Sequence, residues 1–312
     1  PESGDSLAGG LMRELVASHP AQVIALRLTA SKPGSISLKA SLDRPERFAT
    51  NFADGVLGIT GQLACDLPGT GVEGLRYLGE LTATSKGGTL SGDKDGISVT
   101  AADEVVLVIA AGTDMVDKTG YAATVRRQLL AAKGLDFTKL RDAAIADHAS
   151  FMNRCVLELP AGPNADLPTP QRKAAARKTA DPALAALYFQ FGRHLLVSCS
   201  RPDSPQPANL QGLWAEEIDT PWRGDYHANI NIQMNYWPAE PTNLSDCHLP
   251  LMKLIGETAK AGTATAKAYY DAPGWMCYHT LNPWGYTAPS NLQAGSGSTC
   301  GAWLTQHIWE HY

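Results

Sequence analysis

The sequence has no tryptophan before Trp214, although the 312-residue chain carries seven, the last at Trp309. Crowding of that kind marks either one Trp-rich core or an aromatic-lined site in the C-terminal third. Basic runs are also missing. Lysine and arginine number 26 against 31 acidic residues, leaving a net charge of −5. A nucleic-acid or anionic-membrane partner calls for a clustered positive footprint, so neither is expected. No apolar stretch reaches the length of a membrane span. The six cysteines (Cys65, Cys155, Cys199, Cys247, Cys277 and Cys300) form no C-x-x-C pair. Their spacing excludes a zinc ribbon, a redox motif and a disulfide framework. His194, His307 and His311 fall on helical patterns and read as structural, so no metal and no cofactor is expected.

What is present suits a folded, multidomain chain. With 44% hydrophobic residues there is material for a sizeable core. The chain opens Pro1-Glu2-Ser3-Gly4 without Met or signal peptide, and Trp303 to Tyr312 stop inside an amphipathic helical pattern. It therefore reads as an internal piece of a longer protein. Residues 1–118 read as part of an N-terminal β-sandwich. Strands are expected at Gln22–Thr29, Ser35–Ala40, Val56–Thr60, Leu75–Thr84, Ile97–Thr100 and Val105–Ala111, separated by turns such as Gly69-Thr70-Gly71 and Asp93-Lys94-Asp95-Gly96. Residues 119–160 read as a helical linker with one strand. Tyr121–Lys133 carries Val125, Leu129 and Leu130 and ends at Gly134; Asp136 caps a second helix toward Phe151; residues 155–159 read as the strand. From 161 onward the pattern is helical. Asp181-Pro182 starts a helix whose face is Leu184, Leu187, Tyr188, Phe191 and Leu195, another runs from Leu249 to Tyr270, and a third begins near Thr299. Such helix–loop–helix units suit a helical toroid.

The densest chemistry lies in the loops between these helices. Asn229, Asn231, Gln233 and Asn235 alternate with Ile230, Ile232 and Met234. In an extended segment the four amides would form one polar row. That row either pins a long loop or meets the hydroxyls of a sugar. Trp214, Trp222 and Trp237 flank it and offer flat apolar faces.

Asn209-Leu210-Gln211-Gly212-Leu213-Trp214, the run from His227 to Glu240 (HANINIQMNYWPAE) and Asn243-Leu244 resemble glycoside hydrolase family 95, the inverting 1,2-α-L-fucosidase family that also contains α-L-galactosidases. Leu167-Pro168-Thr169-Pro170-Gln171-Arg172, His279-Thr280-Leu281-Asn282-Pro283-Trp284-Gly285 and Gly301-Ala302-Trp303 through Tyr312 are similar to further elements of that family. The resemblance runs from about residue 147 to the end. It implies an N-terminal β-sandwich, a helical linker and, over 161–312, the first part of an (α/α)6 catalytic barrel.

The implied activity is exo-acting inverting hydrolysis of α-1,2-linked L-fucose from oligosaccharides or polysaccharide side chains. Alternatives are an α-L-galactosidase of the same family and a non-catalytic carbohydrate-binding relative. Inversion needs a general acid and a base that activates water on the opposite face. The resemblance assigns the base role to Asn229 and Asn231, polarised by an aspartate, because a carboxylate bonded to the amide NH₂ pushes electron density to its oxygen. His227, Trp214, Trp237, His279 and Trp284 are the expected sugar-binding residues. The general acid and the aspartate are expected after Tyr312, so the remainder of the chain is needed and this part alone should be inactive. Glu216 and Glu217 read as a solvated pair, and Glu240 as structural or supporting. Asn282 stands where many relatives have an acidic residue, which leaves the sugar preference open. The substrate class suggests a periplasmic or secreted protein.

Overall fold

A computed structural model describes residues 10–65, 73–290 and 297–312. The expected turn at Gly69-Thr70-Gly71 lies outside these residues. The chain divides into two compact units between Asp147 and His148.

The first unit is built from β1 (Leu11–Ser18), β2 (Val23–Ala30), β3 (Ile36–Ala40), β4 (Phe48–Ala53), β5 (Val56–Gln62), β6 (Arg76–Lys86), β7 (Thr89–Asp93), β8 (Gly96–Ala102) and β9 (Glu104–Thr113). They form a six-stranded sheet in the order β1-β2-β9-β6-β5-β4 and a three-stranded sheet β3-β8-β7, all pairs antiparallel. Alternation along each strand separates two cores. Val23, Ala25, Val56, Leu78, Val108 and Ala110 pack with Val125, Leu129 and Ala132 of α1 (Tyr121–Lys133) and with Phe137 and Leu140 of α2 (Phe137–Met152). Residues one step out of phase, Leu28, Leu57, Leu81 and Val105, pack with Ile36, Ile97 and Val99 of the smaller sheet. Glu80 shares the phase of Leu78 and is buried under α1. There it accepts hydrogen bonds of 2.6–2.9 Å from the Arg126 guanidinium. A buried carboxylate needs such a partner. Leu130, expected on the packed face of α1, is exposed, and Ala132 is buried instead. Gly134 does end α1, but at φ −80°, so the left-handed freedom of glycine is not used there. The Asp136 carboxylate accepts from the Thr138 amide at 2.8 Å, as an N-cap does.

The second unit contains α3 (Thr169–Ala176), α4 (Pro182–Cys199), β10 (Tyr226–His227), α5 (Asn231–Tyr236), α6 (Leu249–Tyr270), β11 (Thr280–Leu281) and α7 (Cys300–His311). Residues 155–159 form no strand, contrary to the sequence expectation. No described strand pairs with them, and Val156 and Leu157 are exposed. Asp181 caps α4 by accepting from the Leu184 amide at 3.1 Å, and the same carboxylate takes two hydrogen bonds from Arg172 at 2.6 and 2.8 Å. The expected face of α4 is also corrected. Leu187, Tyr188 and Phe191 are exposed, whereas Ala186, Arg193, Leu196 and Val197 are buried.

Arg193 explains which way α4 turns. It is 1% exposed, and its guanidinium donates to the carbonyls of Phe151, Met152, Cys155 and Thr242 and to the Gln190 amide oxygen Oε1, at 2.7–3.2 Å. Two of these carbonyls belong to the last turn of α2, where backbone acceptors lack helical partners. The core beside it gathers Leu196, Val197, Tyr226, Ile232, Tyr236, Leu244, Leu251, Ile255, Leu281 and Leu304. Gly262 of α6 allows a close crossing: its carbonyl accepts from the Met276 amide at 3.2 Å, and a Cβ would come within 2.4 Å of the Met276 oxygen.

Candidate active site

Two short strands set the frame. Tyr226 pairs with Leu281 and His227 with Thr280, and the Ala228 amide donates to the His279 carbonyl at 2.6 Å. Tyr226 and Leu281 point into the core, which anchors the ribbon. His227 and His279 meet edge to face, with ring centroids 5.3 Å apart. Asp225 and His227 are two residues apart on extended backbone, and the Asp225 carboxylate bonds His227 Nδ1. That contact directs the proton of a neutral His227 to Nδ1 and leaves Nε2 as an acceptor. Burial raises the Asp225 carboxyl above its ordinary pKa, and the hydrogen bond to His227 opposes this. Burial lowers the pKa of His279, with His227 adding to the effect. His279 Nδ1 is buried with no partner among the described residues.

The chain then turns at residues 228–230 and enters α5. The single polar row expected from alternation is therefore not formed. Ile232 and Tyr236, four residues apart, face the core. The four amides divide between tasks. Gln233 is buried and donates to the Ala228 carbonyl at 2.6 Å, pinning the turn. Asn235 donates to the Asn209 carbonyl at 2.8 Å. Asn229 and Asn231 are exposed. Tyr236 closes the far end of α5. Its hydroxyl bonds Ser200 Oγ at 2.7 Å and accepts from the Ala208 amide at 2.8 Å, and burial raises its pKa.

Asn209 to Trp214 form a second anchored turn. Asn209 and Gly212 exchange backbone hydrogen bonds of 2.9 and 3.0 Å, Asn209 Oδ1 accepts from the Gln211 amide, and the Leu210 amide donates to Asp225. Gly212 lies at φ +74°, and a Cβ there would meet the Trp214 ring at 2.5 Å. Trp214 lines an open cleft of about 440 Å³ with Gln211, Ala215, Glu216, Glu217, Thr220 and Pro221. His227, Asn229, Asn231 and His279 are not among its walls. In the same loop Trp222 and Arg223 hold φ values of 51° and 57°. The left-handed region costs a non-glycine residue roughly 1–2 kcal/mol.

Trp237 and Trp284 are exposed, and so are Trp222 and Trp309. Although Trp309 falls on an amphipathic helical pattern, it does not pack between helices: it lies on the side of α7 away from Leu304 and His307. Asn282 caps the turn that carries Trp284, its Oδ1 accepting from the amides of Trp284 and Tyr286 at 3.0 and 3.1 Å. The His227–His279 pair is brought together. The turn that carries Trp214 is tied to this segment by the backbone bond from Leu210 to Asp225 and by the Asn235 bond to the Asn209 carbonyl.

Sequence reasoning overlooked Asp225 and His248. The D-Y-H spacing on an extended segment was the available signal for Asp225. His248 Nδ1 and His311 Nδ1 both lie 2.7 Å from Glu240 Oε1, and His248 Nε2 lies 2.9 Å from His307 Nδ1. Burial would raise the Glu240 carboxyl, but hydrogen bonds from His248, His311 and Ser245 outweigh it and lower its pKa. Burial brings His307 down to about 4, helped by His248.

The family model of the glycosyl hydrolase family 95 catalytic domain matches residues 136–312, more than half of the chain. The chain belongs to glycoside hydrolase family 95. The model of the glycosyl hydrolase family 65 N-terminal domain matches residues 6–118. Among curated relatives, Alpha-L-fucosidase 2 of Arabidopsis thaliana is 33% identical over 96% of this chain and 39% of its own length. Probable alpha-fucosidase A of Aspergillus niger is 35% identical over 67% of this chain and 28% of its own. The family 95 chain thus spans about two-fifths or less of the length of these relatives. A solved structure from the human microbiome, provisionally assigned as a kojibiose phosphorylase, superposes with TM-score 0.60 at 10% identity, covering 98% of this chain and 39% of that one. It supports the fold: a sandwich-like β region followed by helices.

Proposed function

We propose that this chain supplies the water-activating half of an exo-acting inverting α-L-fucosidase that removes α-1,2-linked L-fucose from oligosaccharides or polysaccharide side chains. The observation that carries this reading is the exposure of Asn229 and Asn231 immediately after the His227–His279 pair, while their neighbours Gln233 and Asn235 are committed to backbone carbonyls. Family membership and the names of the curated relatives support it.

In this reading Asn229 and Asn231 hold the attacking water. An aspartate after Tyr312 polarises one amide, whose oxygen then takes the water proton as the C–O bond breaks. A glutamate, also after Tyr312, protonates the departing oxygen. His227, oriented by Asp225, accepts a hydrogen bond from a sugar hydroxyl through Nε2, with His279 beside it. Trp214, Trp237 and Trp284 offer flat apolar faces to the sugar and the rest of the glycan. The helices α4, α6 and α7 belong to an (α/α)6 barrel, and further barrel helices cover Leu187, Tyr188 and Phe191.

The test uses the full-length protein on 2′-fucosyllactose. Asn229→Ala and Asn231→Ala each lower kcat by on the order of 10²–10⁴, the range for acid–base groups. Near-normal turnover in both variants removes them from the mechanism. Faster hydrolysis of an α-L-galactoside by the wild type would assign the chain to the galactosidases, and hydrolysis of neither sugar to the binding proteins.

A further inference from the structure

A cluster outside the fucose site has the composition of a metal centre. Glu240 lies in the turn after α5, His248 just before α6 and His311 at the end of α7. One donor atom from each converges within 4.8 Å of the others. We propose that Glu240, His248 and His311 bind one divalent ion of the zinc type, with water as the fourth ligand.

Two imidazoles and a carboxylate are a donor set that zinc takes readily. Bonds of about 2.0–2.2 Å in a tetrahedron place donors roughly 3.3 Å apart. The two 2.7 Å contacts on Glu240 Oε1 therefore open by about 0.6 Å when the ion enters. Glu240 and His311 are partly exposed, so a side remains for entry and for the water, whereas His248 is buried. Glu240 takes its hydrogen bonds from two imidazoles and the Ser245 hydroxyl, none of them an obligate cation.

The surroundings fit ligation as well. With the ion on Nδ1, His248 carries its proton on Nε2 and donates it to His307 Nδ1, 2.9 Å away. A metal-bound histidine commonly has such an outer partner. Without the ion the two rings exchange roles: Nδ1–H of His248 donates to Glu240, and Nε2 accepts from His307. The ion would tie the end of α7 to the start of α6 and to the turn following α5. This proposal is independent of the hydrolytic reading.

The experiment titrates chelator-treated full-length protein with Zn²⁺ by calorimetry and with Co²⁺ by visible absorption. One ion per chain is expected. The wild-type Co²⁺ complex should show the intense band of a four- or five-coordinate ion, and Glu240→Gln and His311→Gln should weaken binding about tenfold or more. Circular dichroism verifies that the variants fold. If a variant does not fold, the wild-type spectrum decides alone. Absence of saturable binding, a weak octahedral spectrum, or unchanged affinity in folded variants would overturn the proposal.

Discussion

Asp225 and His227 face the same way because residues i and i+2 of extended backbone do so, and this lets a carboxylate fix the imidazole tautomer. If His227 holds the sugar through Nε2, Asp225 acts through it as a positioning residue. Asp225→Ala should then raise KM for 2′-fucosyllactose about tenfold in the full-length protein, the worth of one such hydrogen bond. Asp225→Asn, which keeps an oxygen to accept from Nδ1–H, should recover much of the loss. Steady-state kinetics decide: an unchanged KM in the alanine variant contradicts the role. His227 and His279 were singled out by the family resemblance, each in its own motif, and their ring contact and the role of Asp225 were not read from the sequence. The network of Glu240, His248, His307 and His311 draws on residues up to 71 positions apart, and no local spacing announces it.

Elements whose apolar period matches their fold were legible. The helices at Tyr121, Pro182 and Leu249 were found, and so were the central strands β2, β5, β6, β8 and β9. Of the edge strands, β3 was expected at Ser35–Ala40, whereas β1, β4 and β7 were missed. An edge strand buries less and needs little alternation: every residue of β7 is exposed. Helix α5 was misread because Ile230, Ile232 and Met234 alternate, which mimics a strand. Its true signal is the i, i+4 pair Ile232 and Tyr236. In α4 the face rich in Leu and Tyr is exposed because Arg193 must reach the carbonyls that end α2.

At the start of α4, Asp181 serves both as cap and as the partner of Arg172. The Arg172 hydrogen bond comes first among the causes that hold the Asp181 carboxyl below its ordinary pKa. A lowered carboxyl means that the unfolded chain binds more protons, so stability rises with pH across the interval between the two values. The contribution of Asp181 is complete above about pH 4 and is lost as pH falls through its folded value. In Asp181→Asn the melting temperature should be lower at pH 7 and should fall less steeply on acidification. Identical acid limbs in calorimetric melts of the two proteins would refute this.

Across the whole molecule, the tryptophan asymmetry separates the two kinds of structure. The sandwich-like unit holds none of the seven, and the helical unit holds them all, with Trp275 packed against the core and Trp214, Trp222, Trp237, Trp284 and Trp309 exposed. The order of a strand-rich region followed by helices was legible from periodicity. The helix–loop–helix spacing suited a helical toroid, and its specific form as an (α/α)6 barrel was implied by resemblance alone. The central claim is that water, held by Asn229 and Asn231, attacks from the face opposite the leaving group. Proton NMR during the first minutes of 2′-fucosyllactose hydrolysis by the full-length protein tests it most directly. The account predicts β-L-fucose as the first product, with the α-anomer growing in by mutarotation; α-L-fucose appearing first would contradict it.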